Sequence, residues 1–339
     1  MNKLLTAVGL AFGRAGWLAG VTAGVTITFA LYPASASAGH PPHATNGRIA
    51  WTQSLPPTAW TIAPAGGDPE LLSTFPTPAG LTSLVRGLSF SADGSKMAVM
   101  YEQSTGTGTL CGGFVQICWS IILMNGDGSD PQVVFSSDRI GSGGLALSPD
   151  GGRVAFTMVV GGPGGNREPL FTVDSGGNLT QLTTPAAFQT DADATWSPSG
   201  KLLAFESSRD EDAQHSWSLY VVNSRNHRVK RVIRGAETND LEPDWSPDGK
   251  RLVFLRTFGY PDYRIYTVNA NGSNQQEVLR DNSASEAPVW SPDGTQILYS
   301  KDAGSHSLAV VDASGTNDYV VEAFGPAVFV GGYDWRPNG

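Results

Sequence analysis

Six short segments of this chain repeat one pattern: an apolar or aromatic residue followed by a tight turn. They are 88–94 (LSFSADG), 146–151 (ALSPDG), 195–200 (TWSPSG), 244–249 (DWSPDG), 289–294 (VWSPDG) and 334–339 (DWRPNG). Their anchors, Phe90, Leu147, Trp196, Trp245, Trp290 and Trp335, are spaced by 57, 49, 49, 45 and 45 residues. A period of this size with strand chemistry is that of a β-propeller, in which each blade is a four-stranded antiparallel sheet.

The repeat around Trp245 shows the four strands. Residues 243–245 (PDW) read as a short inner strand. In the SPDG turn that follows, Pro takes the second turn position and Gly the position that favours positive φ. Residues 251–255 (RLVFL), 264–268 (RIYTV) and 276–279 (QEVL) read as the second, third and outer strands, with an NANG turn at 269–272. The order recurs around Trp196 (KLLAFES, SLYVVN, RVKRVI) and Trp290 (TQILYS, SLAVVD, DYVVE). No long stretch of period 3.6 occurs after residue 38, so helices are minor.

Ring closure is also legible. The last repeat stops inside its turn, while 46–51 (NGRIAW) reads as a second strand that lacks an inner one. Residues 60–63 and 70–72 can add the third and fourth strands. The two ends are therefore expected to complete one blade, which removes the open sheet edges. The fold class is all-β: a six-bladed propeller of four-stranded antiparallel blades over 46–339. A seventh blade would need roughly 45 more residues.

The first 38 residues have the grammar of an export signal. Lys3 and Arg14 are the only charges, 15–31 is almost wholly apolar, and Ala36-Ser37-Ala38 suits signal peptidase. Cleavage after Ala38 is expected, leaving 39–45 as a short disordered terminus. The competing reading is a retained anchor, because about 17 apolar residues is the low end for a bilayer span. Loss of the two bases takes the formal charge from −9 to −11. With no Lys/Arg run, nucleic acid is an unsuitable partner, and cationic or neutral partners are easier to accommodate. A monomer, secreted or held in the periplasm or envelope, is expected. Cys111 and Cys118, in CGGFVQIC, are expected to form a disulfide in such a compartment. Two thiolates with no nearby His fall short of a zinc site.

The pattern P-x-W-S-P-D-G-K-x-[ILV]-x-F followed by I-Y-x-V-N-x-[ND]-G resembles the propeller domain of the TolB family. Residues 244–255 and 265–272 match it almost throughout. The resemblance is strong in the last three repeats and looser before them, where Ala92 replaces Pro and Leu147 replaces Trp. It implies an exported protein that works through protein contacts, with a peptide entering the central channel in TolB itself. TolB also carries an amino-terminal α/β domain, for which 39–46 leaves no room. Only the fold and a general binding role are therefore carried over. The serine hydrolases with similar propellers need a G-x-S-x-G elbow, which is absent.

Two sets of acids stand out. Asp93, Asp150, Asp248 and Asp293 occupy turn positions and read as structural. The second set lies just ahead of the inner strands: Asp191, Asp193, Glu242, Asp244, Glu286 and Asp334. These residues crowd toward the propeller axis. They can bind a cation, with calcium at Asp193 and Glu242 the specific expectation, or attract a basic peptide. The structural alternative is that they are solvated or cap backbone amides. No cofactor is required by the sequence, and His40, His43, His215, His227 and His306 have no metal-ligand spacing. The expected function is non-enzymatic recognition of a protein or peptide at the channel mouth. The alternative is an envelope lyase or glycan hydrolase that uses the axial carboxylates.

Overall fold

The computed structural model describes residues 46–339, except 106–109, 112–115, 142, 163, 210–216, 234–237, 260–261, 282–283, 303–305, 326–327, 329 and 338–339. The side chains of 281, 284–286 and 302 are also outside the description. The expected signal segment, its cleavage site, His40, His43 and His215 lie outside the described residues.

The described chain folds into 24 strands in six four-stranded antiparallel sheets, with no helix. Blade one takes β1 (Ile49–Gln53), β2 (Thr58–Ile62) and β3 (Glu70–Thr74). Blade two is β4 (Thr82–Phe90), β5 (Lys96–Ser104), β6 (Ile117–Asn125) and β7 (Gln132–Ser137). Blade three is β8 (Ala146–Leu147), β9 (Arg153–Thr157), β10 (Leu170–Asp174) and β11 (Leu179–Gln181). Blade four is β12 (Asp191–Trp196), β13 (Leu202–Ser207), β14 (Ser218–Asn223) and β15 (Val229–Ile233). Blade five is β16 (Asn239–Trp245), β17 (Arg251–Thr257), β18 (Tyr263–Asn269) and β19 (Gln276–Asp281). Blade six is β20 (Ala284–Trp290), β21 (Gln296–Asp302), β22 (His306–Asp312) and β23 (Tyr319–Ala323). The last strand, β24 (Val330–Trp335), returns to blade one as its inner strand, in the order β24-β1-β2-β3. Ile49 pairs with Trp335 and Trp51 with Tyr333, so both ends of the chain build one blade, as expected.

Period-two alternation gives every second strand two faces, and each face packs against a different blade. Phe205 and Leu203 join Trp196 against blade three, whereas Ala204 faces blade five. Phe254 and Leu252 join Trp245 against blade four, whereas Val253 faces Trp290 of blade six. Large side chains on one face thus meet small ones on the next blade. The six apolar clusters are the six inter-blade contacts, and the cluster holding Ile49, Leu298, Val310 and Trp335 closes the ring.

The Ser-Pro-Asp-Gly segments have two structural roles. Within the turn, the Ser hydroxyl donates to the Asp carboxylate, at 2.7 Å for Ser246–Asp248 and Ser291–Asp293. The same bond, from Ser91, draws the Asp93 carboxyl down to about 2. Between blades, the Pro of one turn lies beneath the Gly of the next. A β-carbon at Gly294, whose φ is +71°, would come within 3.1 Å of Pro247, and one at Gly249 within 3.7 Å of Pro198. Cys111 and Cys118 are disulfide-bonded across the long hairpin of blade two, with Cα atoms 5.6 Å apart.

Candidate axial channel and its mouth

The inner strands begin earlier than the sequence indicates. The acids expected ahead of β12 and β16 lie inside those strands, because each strand bulges. Pairing slips between Ala192 and Thr195, between Leu241 and Asp244, and between Glu286 and Val289. The extra residues, Asp193, Glu242 and Ala287, adopt positive φ of 46°, 50° and 45°. A bulge breaks the two-residue alternation by which strands are recognised, and it re-aims a side chain.

All six inner strands line one narrow axial cavity of about 90 Å³. The residue before each anchor forms a ring around it: Ser89, Ala146, Thr195, Asp244, Val289 and Asp334. Asp193 and Glu242 join the lining from the bulges, so four carboxylates and no Lys, Arg or His face the cavity among the described residues.

All four of these acids clasp neighbouring blades. Asp334 accepts the Phe90 amide proton at 2.9 Å, and Asp244 accepts that of Trp290 at 2.8 Å. Asp244 also accepts from the Thr195 hydroxyl at 2.9 Å, so it bridges blades four, five and six. Asp193 accepts from Gly144 at 2.7 Å, and Glu242 accepts from Ala287. The backbone-capping alternative thus describes one role of all four. Burial pushes the Asp244 carboxyl up to about 7, and the nearby charge of Asp334 adds to the rise against the lowering bond from Trp290.

Asp191 plays a different part. It is fully buried, accepts from Ser207 at 2.6 Å and pairs with Arg209 at 2.5 Å. Glu286 lies in β20 opposite Ser300, and its side chain is outside the description. Among the described residues, no group of three or more His, Cys, Asp or Glu side chains is placed to hold a metal ion.

Sequence reasoning missed several partners. Asp240 forms a two-bond pair with Arg256, at 2.6 and 3.0 Å, and Arg256 lies over the rings of Phe254 and Tyr266. Its signal was available: Asp240 stands five residues before Trp245, as Asp191 does before Trp196. Glu206, which accepts the Glu242 amide proton at 2.7 Å, is brought there by the packing of adjacent blades and carries no local signal.

With this geometry in view, comparison with known proteins is informative. The family model described as the TolB beta propeller domain matches residues 129–325. No curated protein matches the sequence. TolB from Acinetobacter baumannii superposes with a TM-score of 0.66 at 19% identity, over 86% of this chain and 67% of that one. A chain of a nidogen/laminin complex gives 0.61 at 11%, over 85% and 98%. An oligogalacturonate lyase in complex with manganese gives 0.52 at 15%, over 75% and 70%. At these identities the solved structures support the fold alone.

Proposed function

The chain belongs to the TolB beta-propeller domain family, and on that premise we propose that it is an exported binding module. It takes a protein or peptide at the mouth of its channel, without catalysis. The observation that carries this reading is the channel wall: four carboxylates, no base among the described residues, and a ring built from all six blades. Such a wall concentrates negative potential in a low-dielectric cleft and favours a cationic segment. The TolB fold match and the export-like first 38 residues support an envelope location. No helix among the described residues is long and apolar enough to cross a membrane.

The test is a pull-down from envelope and culture fractions with the mature chain, beside an Asp193→Asn, Glu242→Gln variant. Reproducible recovery of one partner that the double variant retains poorly is expected. A specific turnover with no partner recovered would overturn the reading.

One observation favours an enzyme as a second reading. Asp244, pushed up to about 7 inside a cleft, lies in the range of a general acid or base. Incubation with acidic and neutral oligosaccharides separates the two. Product release that disappears in Asp244→Asn favours the enzyme.

A further inference from the structure

Phe188 is a large aromatic side chain held in the wrong place for stability. It is 78% exposed, and its φ of +64° lies in the left-handed region that a bulky residue rarely enters. Burial contributes little there to offset the strain, which makes the residue a candidate for function. The surrounding loop is densely hydrogen-bonded. The Phe188 amide donates to Asn166 at 2.6 Å, and Glu168 donates to the Gln189 carbonyl at 3.0 Å. The Gln189 side chain donates to the Arg209 carbonyl at 2.9 Å and accepts from Ala186 at 2.8 Å. Thr190 and Ser208 exchange two further bonds, so the loop is sewn to blades three and four. The far edge of the ring rests on Gly165, at φ +131°, where any β-carbon would collide with it.

The position relates Phe188 to the channel. It stands three residues before Asp191, where the inner strand β12 begins, and so within about 10 Å of the start of that strand at 3.3 Å per residue. Leu55, Ile117 and Phe258 are also exposed at this same end of the ring, Leu55 and Phe258 on loops and Ile117 as the first residue of β6. The other exposed large apolar side chains, Leu71, Val133, Leu179 and Val320, stand among the first two residues of the outer strands, at the end that bears the Ser-Pro-Asp-Gly turns.

We propose that Phe188 is the rim anchor for a cationic peptide segment, whose arginine or lysine stacks on the exposed ring while the chain continues toward the channel carboxylates. The proposal rests on the channel-mouth reading above. A cation over an exposed ring is a modest attraction, and a pre-set ring loses little entropy on binding. Charge complementarity chooses the occupant: the wall beyond the ring carries Asp193, Glu242, Asp244 and Asp334 and, among the described residues, no base.

The test is fluorescence anisotropy of the mature chain with a labelled Arg-Gly-Arg-Gly-Arg-Gly peptide, with a glutamate counterpart as control. Phe188→Ala and Phe188→Leu are expected to weaken binding roughly three- to fivefold, since leucine keeps apolar area but not the ring. Gly165→Ala, which displaces the ring without removing it, is expected to act in the same direction. Circular dichroism and the melting temperature report that each variant is folded. Native affinity in both Phe188 variants, with loss in Asp193→Asn, Glu242→Gln, would overturn the anchor and leave the channel reading standing. Failure of the unaltered protein to prefer the arginine peptide would overturn both.

Discussion

Asp244 has one oxygen on the Trp290 amide and the other on Thr195, and burial pushes its carboxyl up to about 7. Its folded value lies above the ordinary value of 3.8, so the folded state holds the proton more tightly than the unfolded chain. The stability this group contributes is therefore complete below about pH 4 and is lost as pH rises toward 7, by up to ~1.4 kcal/mol per pH unit. Asp244→Asn keeps an acceptor for Trp290 and removes the titration. The variant is expected to melt above the unaltered protein at pH 8, with the difference vanishing at pH 4. Thermal unfolding across that range checks this, and a difference independent of pH would contradict it. The surface turn acids behave oppositely: bonds from Ser91 and Ser95 hold Asp93 ionised to about 2.

At the level of the strand, the inner-strand acids join blades that share few backbone bonds. Asp334 of β24 reaches the Phe90 amide of β4, and Ser89 of β4 accepts from Leu147 of β8 at 3.1 Å. Removing one such acceptor leaves a half-buried amide unpaired. Asp334→Ala is expected to cost about 1–3 kcal/mol in urea unfolding, whereas Asp334→Asn, which retains the acceptor, should cost less. Equal losses in both variants would show that charge rather than the hydrogen bond matters. The bulges belong to this scale too: Asp193 and Glu242 face the cavity because one extra residue in each strand breaks the alternation.

Across the whole ring, stability depends on β24, which pairs with β1 and completes the cluster containing Trp51, Leu308 and Trp335. Deleting 330–339 would strip blade one of its inner strand and expose apolar faces of blades one and six. A fall in melting temperature of more than about 10 °C is expected, together with self-association through the opened edge. Differential scanning calorimetry with light scattering reads both. A truncated chain as stable and monomeric as the full one would show that the closure contributes nothing.

The repeat determined the blade count, the four-strand order and the shared blade, because period-two strands and Pro-Asp-Gly turns are local signals. It also marked the acids that line the axis, down to Asp193 and Glu242. Tertiary structure decided what those acids do. Asp191 went into a buried pair with Arg209, while Asp244 became a clasp across three blades. Glu206 met Glu242 only because blade four packs on blade five. The display of Phe188 likewise required Gly165 and the blade-four loop to meet it. Such contacts join residues tens of positions apart in the chain, and local sequence carries no record of a distance that only ring closure sets.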